Sequence, residues 1–240
     1  METKAIILCG GEGKRLGESY KDTPKCLVQI NDRPLLTYVL KSLSNINVKN
    51  IIVLTNNHEG HLKRISEFLE LYSQDFNIQL ISSPSKSTAE AVKISATYLD
   101  EPFMCLHGNM IISPNHLEEF FNVVKRYPSS LVGMGSKINN APTHPRLNFR
   151  DDYLVDIVPP AEEKLKPHQF ASLEFYYCPT GTLYNLQNTL NIDKTMFALT
   201  LRNLVKKAEP SFVIEHKEEW FHLATPQDMI RNLSEFNHYF

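Results

Sequence analysis

The sequence predicts an α/β fold: a mostly parallel sheet flanked by helices, with a late antiparallel β insertion. Three observations predict it. Short apolar strand-like runs alternate with amphipathic helical runs through the first half, the rhythm of a parallel sheet with helices on both faces. The first of these runs, Lys4-Ala-Ile-Ile-Leu-Cys9, empties into a glycine-rich turn, Gly10-Gly-Glu-Gly13. After about residue 128 the rhythm changes to closely spaced strands around the turn-forming pair Asp151-Asp152.

Each element follows from local patterning. Leu36, Val39, Leu40 and Leu43 make an apolar stripe at helical spacing within 35–43. Residues 50–55 read as a strand. The segment 61–71 reads as a helix with Leu62, Ile65, Phe68 and Leu69 on one face. Strand 77–82, helix 88–99, strand 103–107 and helix 117–126 continue the alternation. The second half reads as strands at 131–135, 146–149, 153–158 and 173–178, then helices near 183–190 and 194–207. A late strand at 212–216 and a closing helix at 226–236 complete the chain.

Composition narrows the function classes. The 240 residues suit one domain, and 42% hydrophobic content is enough for a sizeable core. A formal net charge of −2 argues against a nucleic-acid partner, which calls for a basic excess. No apolar run reaches spanning length, and the first residues carry no signal-peptide pattern, so the expectation is a cytoplasmic protein off the membrane. Cys9, Cys26, Cys105 and Cys178 lack CxxC spacing and are expected to be buried reduced thiols.

The glycine turn carries most of the functional signal. Glycines let the backbone approach a ligand and leave N–H groups aimed at phosphate oxygens. Arg15 and Lys25 add cationic charge beside it. Two familiar nucleotide motifs do not fit. A dinucleotide fingerprint needs a third glycine where Leu16 stands and an acid where the second strand ends in Thr55-Asn-Asn57. A P-loop needs Gly-Lys-Ser/Thr, and Gly13-Lys14-Arg15 lacks the hydroxyl.

The run Leu8-Cys-Gly-Gly-Glu-Gly-Lys-Arg-Leu16, then Pro24-Lys25-Cys-Leu27, then Arg33-Pro34-Leu35 resembles the sugar-1-phosphate nucleotidyltransferase family. The double glycine and Lys21-Asp-Thr-Pro-Lys25 look most like its mannose- or heptose-1-phosphate guanylyltransferase branch. Looser similarity continues through Ser87-Thr-Ala-Glu-Ala91, Leu106-His-Gly-Asn109 and Trp220-Phe-His-Leu-Ala-Thr-Pro226. The resemblance implies a Rossmann-like, GT-A-type fold in a single domain, 1–240. A nucleotide-binding half would span about 1–128 and a sugar-binding half about 129–240. It also implies attack by a sugar-phosphate oxygen on the α-phosphorus of a nucleoside triphosphate, releasing pyrophosphate, for glycan or capsule assembly.

On the same resemblance, Arg15 braces the β and γ phosphates with the amides of Gly11 to Lys14, and Lys25 stabilises charge at the α-phosphate. Leu8, Gly10, Gly11 and Gly13 approach the nucleotide. Thr88 lies near base or ribose, with a helix cap as its structural alternative. Gly108 gives room for the sugar ring. Lys164, or Lys166, in Glu162-Glu-Lys-Leu-Lys-Pro167 holds the sugar phosphate, against the alternative of a solvated charged loop. Partners are thus an NTP and a sugar 1-phosphate, with a homo-oligomer left open.

The metal positions depart from the family. Its two Mg²⁺-binding aspartates correspond to Asn109 and His222, so both formal charges are gone. Mg²⁺ prefers carboxylate and water oxygens, and imidazole suits a softer ion such as Mn²⁺ or Zn²⁺. Three outcomes stay open: Mg²⁺ carried mainly by the triphosphate, a softer ion, or a catalytically impaired member that binds nucleotide or sugar nucleotide. A cytidylyltransferase acting on a non-sugar phosphate such as phosphocholine would use the same loop.

Overall fold

The alternating apolar and helical runs fold as strands and helices in a computed structural model that describes residues 3–13, 16–99, 102–138, 141–189, 191–206 and 210–230. In chain order the first elements are β1 (Lys4–Leu8), β2 (Gln29–Ile30), β3 (Arg33–Pro34), α1 (Leu35–Asn45), β4 (Asn50–Asn56), α2 (Glu59–Glu70) and β5 (Asn77–Ser83). Then come α3 (Thr88–Ser95), β6 (Phe103–His107), β7 (Met110–Ile111), α4 (Pro114–Arg126), β8 (Val132–Ser136), β9 (Arg146–Arg150) and β10 (Tyr153–Val158). The last are β11 (Gln169–Cys178), α5 (Thr182–Gln187), α6 (Phe197–Thr200), α7 (Arg202–Val205), β12 (Phe212–Glu215) and β13 (Phe221–His222). Among the described residues no helix is long and apolar enough to cross a membrane.

These elements gather into two compact units, each built from separate stretches of chain. The first comprises Met1–Pro84, His107–Leu117 and Glu219–Phe240, and the second Ser85–Leu106 and Glu118–Glu218. The expected boundary near residue 128 therefore falls inside the second unit.

In the first unit β1 pairs parallel with β4, and β4 parallel with β5, in unbroken register from Lys4↔Asn50 and Asn50↔Asn77 onward. Ala5, Ile6 and Ile7 are fully buried, as expected of a strand covered on both faces. The loop after the glycine turn, α1, β7 and β13 share a second cluster of Leu16, Val28, Ile30, Leu35, Tyr38, Ile111, Phe221 and Leu223. That cluster fixes where the two-residue strands β7 and β13 lie. They pair antiparallel, Phe221 opposite Ile111 and His222 opposite Met110.

The second unit carries the late antiparallel strands the sequence predicts, but antiparallel pairing takes in more strands than expected, so its sheet is mixed rather than mostly parallel. β11 runs antiparallel to β6, β8 and β9, while β12 runs parallel to β8 and β10 antiparallel to both β9 and β12. The order β11, β8, β12, β10, β9 thus closes back on β11. The reason is connection length. Asp151 at φ 52° makes the tight turn predicted between β9 and β10, and so short a link can only join antiparallel strands. β11 begins four residues before its predicted start and carries a bulge at Glu174, whose φ of 51° breaks the alternation by which a strand is recognised in sequence.

The helix expected over 194–207 is interrupted: Thr195 and Met196 are extended, and α6 and α7 meet at Leu201. The closing segment begins as a short 3-10 helix at Pro226–Ile230, and residues 231–236 of the expected helix lie outside the described residues. All four cysteines are buried and none is in a disulfide, in keeping with the expected reduced thiols.

Candidate functional site

The glycine turn leaves the buried carboxyl end of β1. Gly10 and Gly11 are exposed and Gly13 is buried. Gly13 has φ 69°, and a Cβ there would stand 2.9 Å from the carbonyl oxygens of both Tyr20 and Thr23. No other residue fits that corner. Backbone bonds fold the next segment over the turn: Leu16 N–H donates to Gly13 O at 2.7 Å, and Lys25 N–H to Gly11 O at 3.1 Å. The Lys25 stem lies against Gly11, where a Cβ would meet its Cδ at 3.1 Å. Arg15 and Lys14, the other cations of the motif, lie outside the described residues.

Pro24 supplies the extended backbone before Lys25, whose side chain is 9% exposed. Its ammonium donates to Ala224 O at 3.1 Å and reaches Leu223 O at 3.4 Å. Asn109, 8% exposed, donates its amide to the same Leu223 O at 2.8 Å, and Leu223 N–H donates to Asn109 O at 3.1 Å. Tertiary structure thus brings together three residues the sequence singled out: Lys25, Asn109 and the His222 segment. Phe221 and Leu223 are fully buried on one side of β13, so the half-buried His222 between them faces the other side. There its ring meets that of His107 edge-on, with centroids 6.0 Å apart.

These residues do not fit a protein-held Mg²⁺. Asn109 directs its amide nitrogen into a backbone bond, His222 offers a ring nitrogen, and neither brings negative charge. The neighbouring acid, Asp228, is engaged elsewhere. Its Oδ2 accepts from Ala224 N at 2.9 Å, Thr225 N at 2.7 Å and Thr225 Oγ1 at 2.9 Å, and so ties down the segment that Lys25 grips. Among the described residues no group of three or more His, Cys, Asp or Glu is arranged to hold a metal.

The remaining candidates are placed as follows. Leu8 is buried in β1 and its carbonyl accepts from Gly108 N–H at 3.0 Å. A Cβ on Gly108 would stand 2.4 Å from Cys9 Sγ and 3.2 Å from both Cys26 Cβ and Ile7 Cγ2, so the space this glycine leaves is filled by protein. Thr88 belongs to the second unit, where it opens α3. Ser87 is the N-cap, accepting from Glu90 N–H at 3.1 Å, while Thr88 Oγ1 accepts from Phe197 N–H at 2.8 Å. Lys164 and Lys166 belong to a segment of the second unit without regular structure, Lys164 exposed there. The buried Arg146 anchors that segment, donating to Ala161 O at 2.6 Å and Glu163 O at 3.3 Å.

Two features near the turn depart from the sequence reading: Asn56, which carries no role in it, and His61, whose pairing with His58 reads as a surface helix start but which is buried. Asn56, at the end of β4, donates from Nδ2 to Gly10 O at 3.1 Å and accepts from His58 N–H at Oδ1, also at 3.1 Å. The only signal for it was Thr55-Asn-Asn57, read as the absence of an acid. His61 on α2 is 1% exposed, meets the His58 ring at a tilt of 38° with centroids 4.4 Å apart, and has neither ring nitrogen hydrogen-bonded among the described residues. Burial, then the His58 charge, lowers its pKa below the usual histidine value. The Cys9 thiol is pushed well above its ordinary pKa by its hydrogen bond with Cys26 and then by burial, so it stays a neutral packing group under the turn.

The chain is also similar to known proteins along its length. A family model described as "Nucleotidyl transferase" matches residues 4–235. CMP-5'-(3-aminopropyl)phosphonate synthase of Streptomyces rubellomurinus is 28% identical over 119 residues, covering 48% of this chain and 18% of that protein. The bifunctional protein GlmU of Methanococcus vannielii is 25% identical over 233 residues, covering 94% of this chain and 53% of that protein. The chain therefore spans about half, or less, of the length of these relatives. A solved UDP-glucose pyrophosphorylase from Acinetobacter baumanii superimposes with a TM-score of 0.81 at 14% identity, covering 98% of this chain and 93% of that one. That likeness establishes a shared Rossmann-like fold of mixed sheet and helices.

Proposed function

We propose, from the premise that the chain belongs to the nucleotidyl transferase family, that it forms an NDP-sugar and pyrophosphate from an NTP and a sugar 1-phosphate. The observation that carries this reading is the placement of Lys25. Its stem packs on Gly11 of the turn and its ammonium is held at the Leu223–Ala224 carbonyls, the first of which also accepts from Asn109. A cation fixed beside a glycine turn suits a reaction in which charge builds on phosphate oxygens. A sugar-phosphate oxygen attacks the α-phosphorus in line and pyrophosphate leaves, so catalysis is positioning plus charge stabilisation. Lys25 acts at the α-phosphate. Arg15 and the turn amides brace the β and γ phosphates. Thr88 and Lys164 serve the nucleoside and the sugar phosphate, and the fold is of GT-A type with nucleotide and sugar halves. The reaction takes place in the cytoplasm and supplies surface-polysaccharide assembly.

Because no carboxylate stands at the metal positions, no step of the reaction is drawn from a protein-held ion. A divalent ion enters, if at all, as part of the triphosphate substrate. The same absence favours one further reading: a nucleotide- or sugar-nucleotide-binding member with impaired turnover. One experiment separates them. Pyrophosphate release is measured with each NTP against a panel of sugar 1-phosphates, under Mg²⁺ and Mn²⁺, beside calorimetry in EDTA. Aminoalkyl phosphonates and phosphocholine join the acceptor panel, the former because one relative is named for such a product. Release with a sugar 1-phosphate supports the leading reading. Metal-independent binding without release supports the second, and neither binding nor release with any pair overturns both.

A further inference from the structure

Asn56 stands where a dinucleotide-binding fold would carry an acid, at the carboxyl end of the strand beside β1. Its side chain makes two bonds at once, from Nδ2 to Gly10 O and from His58 N–H to Oδ1, each 3.1 Å long. The pair fixes the amide's orientation, because a flipped amide would set oxygen against oxygen and N–H against N–H. An aspartate could accept from His58 and could not donate to Gly10.

The consequence lies in the peptide that Gly10 shares with Gly11. The unit is planar and trans, so its C=O and N–H point in opposite directions. Pinning Gly10 O toward Asn56 turns Gly11 N–H away from it. The next peptide is held in the same manner, since Gly11 O accepts from Lys25 N–H at 3.1 Å. A turn whose carbonyls are engaged inside the protein presents amide dipoles to an anion with little reorganisation on binding. Asn56 also ties this geometry to the start of α2 through His58.

We propose that Asn56 is the positioning residue that sets the phosphate-binding face of the glycine turn, acting through the Gly10–Gly11 peptide. The proposal rests on the nucleotide-binding reading above. It identifies the ligand chemistry served as the outer phosphates of a nucleoside triphosphate, distinct from the base and ribose.

The test compares wild type with Asn56→Ala and Asn56→Asp. Each is titrated calorimetrically with CTP, UTP, GTP and dTTP and with the corresponding nucleoside monophosphates. For Asn56→Ala, triphosphate binding is expected to weaken about tenfold, the scale of one lost bond to a charged phosphate. Monophosphate binding should change by less than about twofold and the melting temperature by only a few degrees. Asn56→Asp should weaken triphosphate binding further, because its charge repels both Gly10 O and the phosphates. Triphosphate affinity unchanged in Asn56→Ala, or monophosphate affinity falling in parallel, overturns the proposal. Amide resonances of Gly10 and Gly11 in the ligand-free proteins report the clamp directly: they shift in Asn56→Ala if Asn56 holds the turn, and their invariance overturns it. A wild-type protein that binds no triphosphate overturns the nucleotide reading instead, while the resonances still decide the clamp.

Discussion

Gly108→Ala gives a quantitative test of how the turn is supported from below. The added methyl would stand 2.4 Å from Cys9 Sγ and 3.2 Å from Cys26 Cβ and Ile7 Cγ2. The first contact is roughly 1 Å or more inside the ordinary separation of about 3.5–4 Å. Cys9 is 3% exposed at the end of a fully buried strand run, so its sulfur has no open space to move into. Overpacking of this kind costs about 1–3 kcal/mol, and the depth of the clash points to the upper end. Urea unfolding should show a lower midpoint at unchanged slope. The decisive measurement is the double variant. Cys9→Ala deletes the atom met at 2.4 Å, so Gly108→Ala should cost about 1 kcal/mol less in the Cys9→Ala background than in wild type. Equal costs in the two backgrounds would refute the assignment of the clash to Cys9, and a fully stable Gly108→Ala would refute the packing reason for this glycine altogether.

Three further outcomes follow from other parts of the site. Asp228→Ala removes the acceptor of two backbone N–H groups and one hydroxyl, and should lower stability by about 1–2 kcal/mol in chemical denaturation, with Asp228→Asn losing less. His61 has a lowered native-state pKa, so the unfolded chain binds the additional proton as pH drops through about 6.5. Stability should therefore fall from about pH 7 to about pH 5 through this group, and the urea midpoint of His61→Phe should fall less steeply over the same range. Asn109→Asp with His222→Asp should create Mn²⁺ affinity absent from wild type, measured as loss of the free-ion paramagnetic resonance signal. The double substitution should also lower the metal-free melting temperature, because a carboxylate at position 109 cannot donate to Leu223 O as the Asn109 amide does.

Residues whose role is set by neighbours in the chain were legible in the sequence alone. The apolar stripe of α1, the strand–glycine-turn junction and the Asp151-Asp152 hairpin each depend on a handful of adjacent side chains and their backbone preferences. β6 and β10 carry the bounds their residues predicted, Phe103–His107 and Tyr153–Val158. Elements that exist only through a distant partner were not legible. β7 and β13 are two residues each and form because Phe221 and His222 find Ile111 and Met110, far away along the chain. The bulge at Glu174 and the mixed order of the second unit are likewise decided by pairing.

The same division runs through the site. By itself the sequence determined the glycine turn, its attendant Lys25 and the missing carboxylates, since spacing and chemical type within one stretch are sufficient to state them. Only the tertiary structure decided what those residues do to one another. It set Lys25 against the Leu223–Ala224 carbonyls, turned Asn109 into a strand tie and used Asp228 to hold the Thr225-Pro226 corner. It also placed Asn56 on Gly10. Hydrogen bonds act over about 3 Å in space. Nothing in a linear order states which distant atoms folding will bring within that reach.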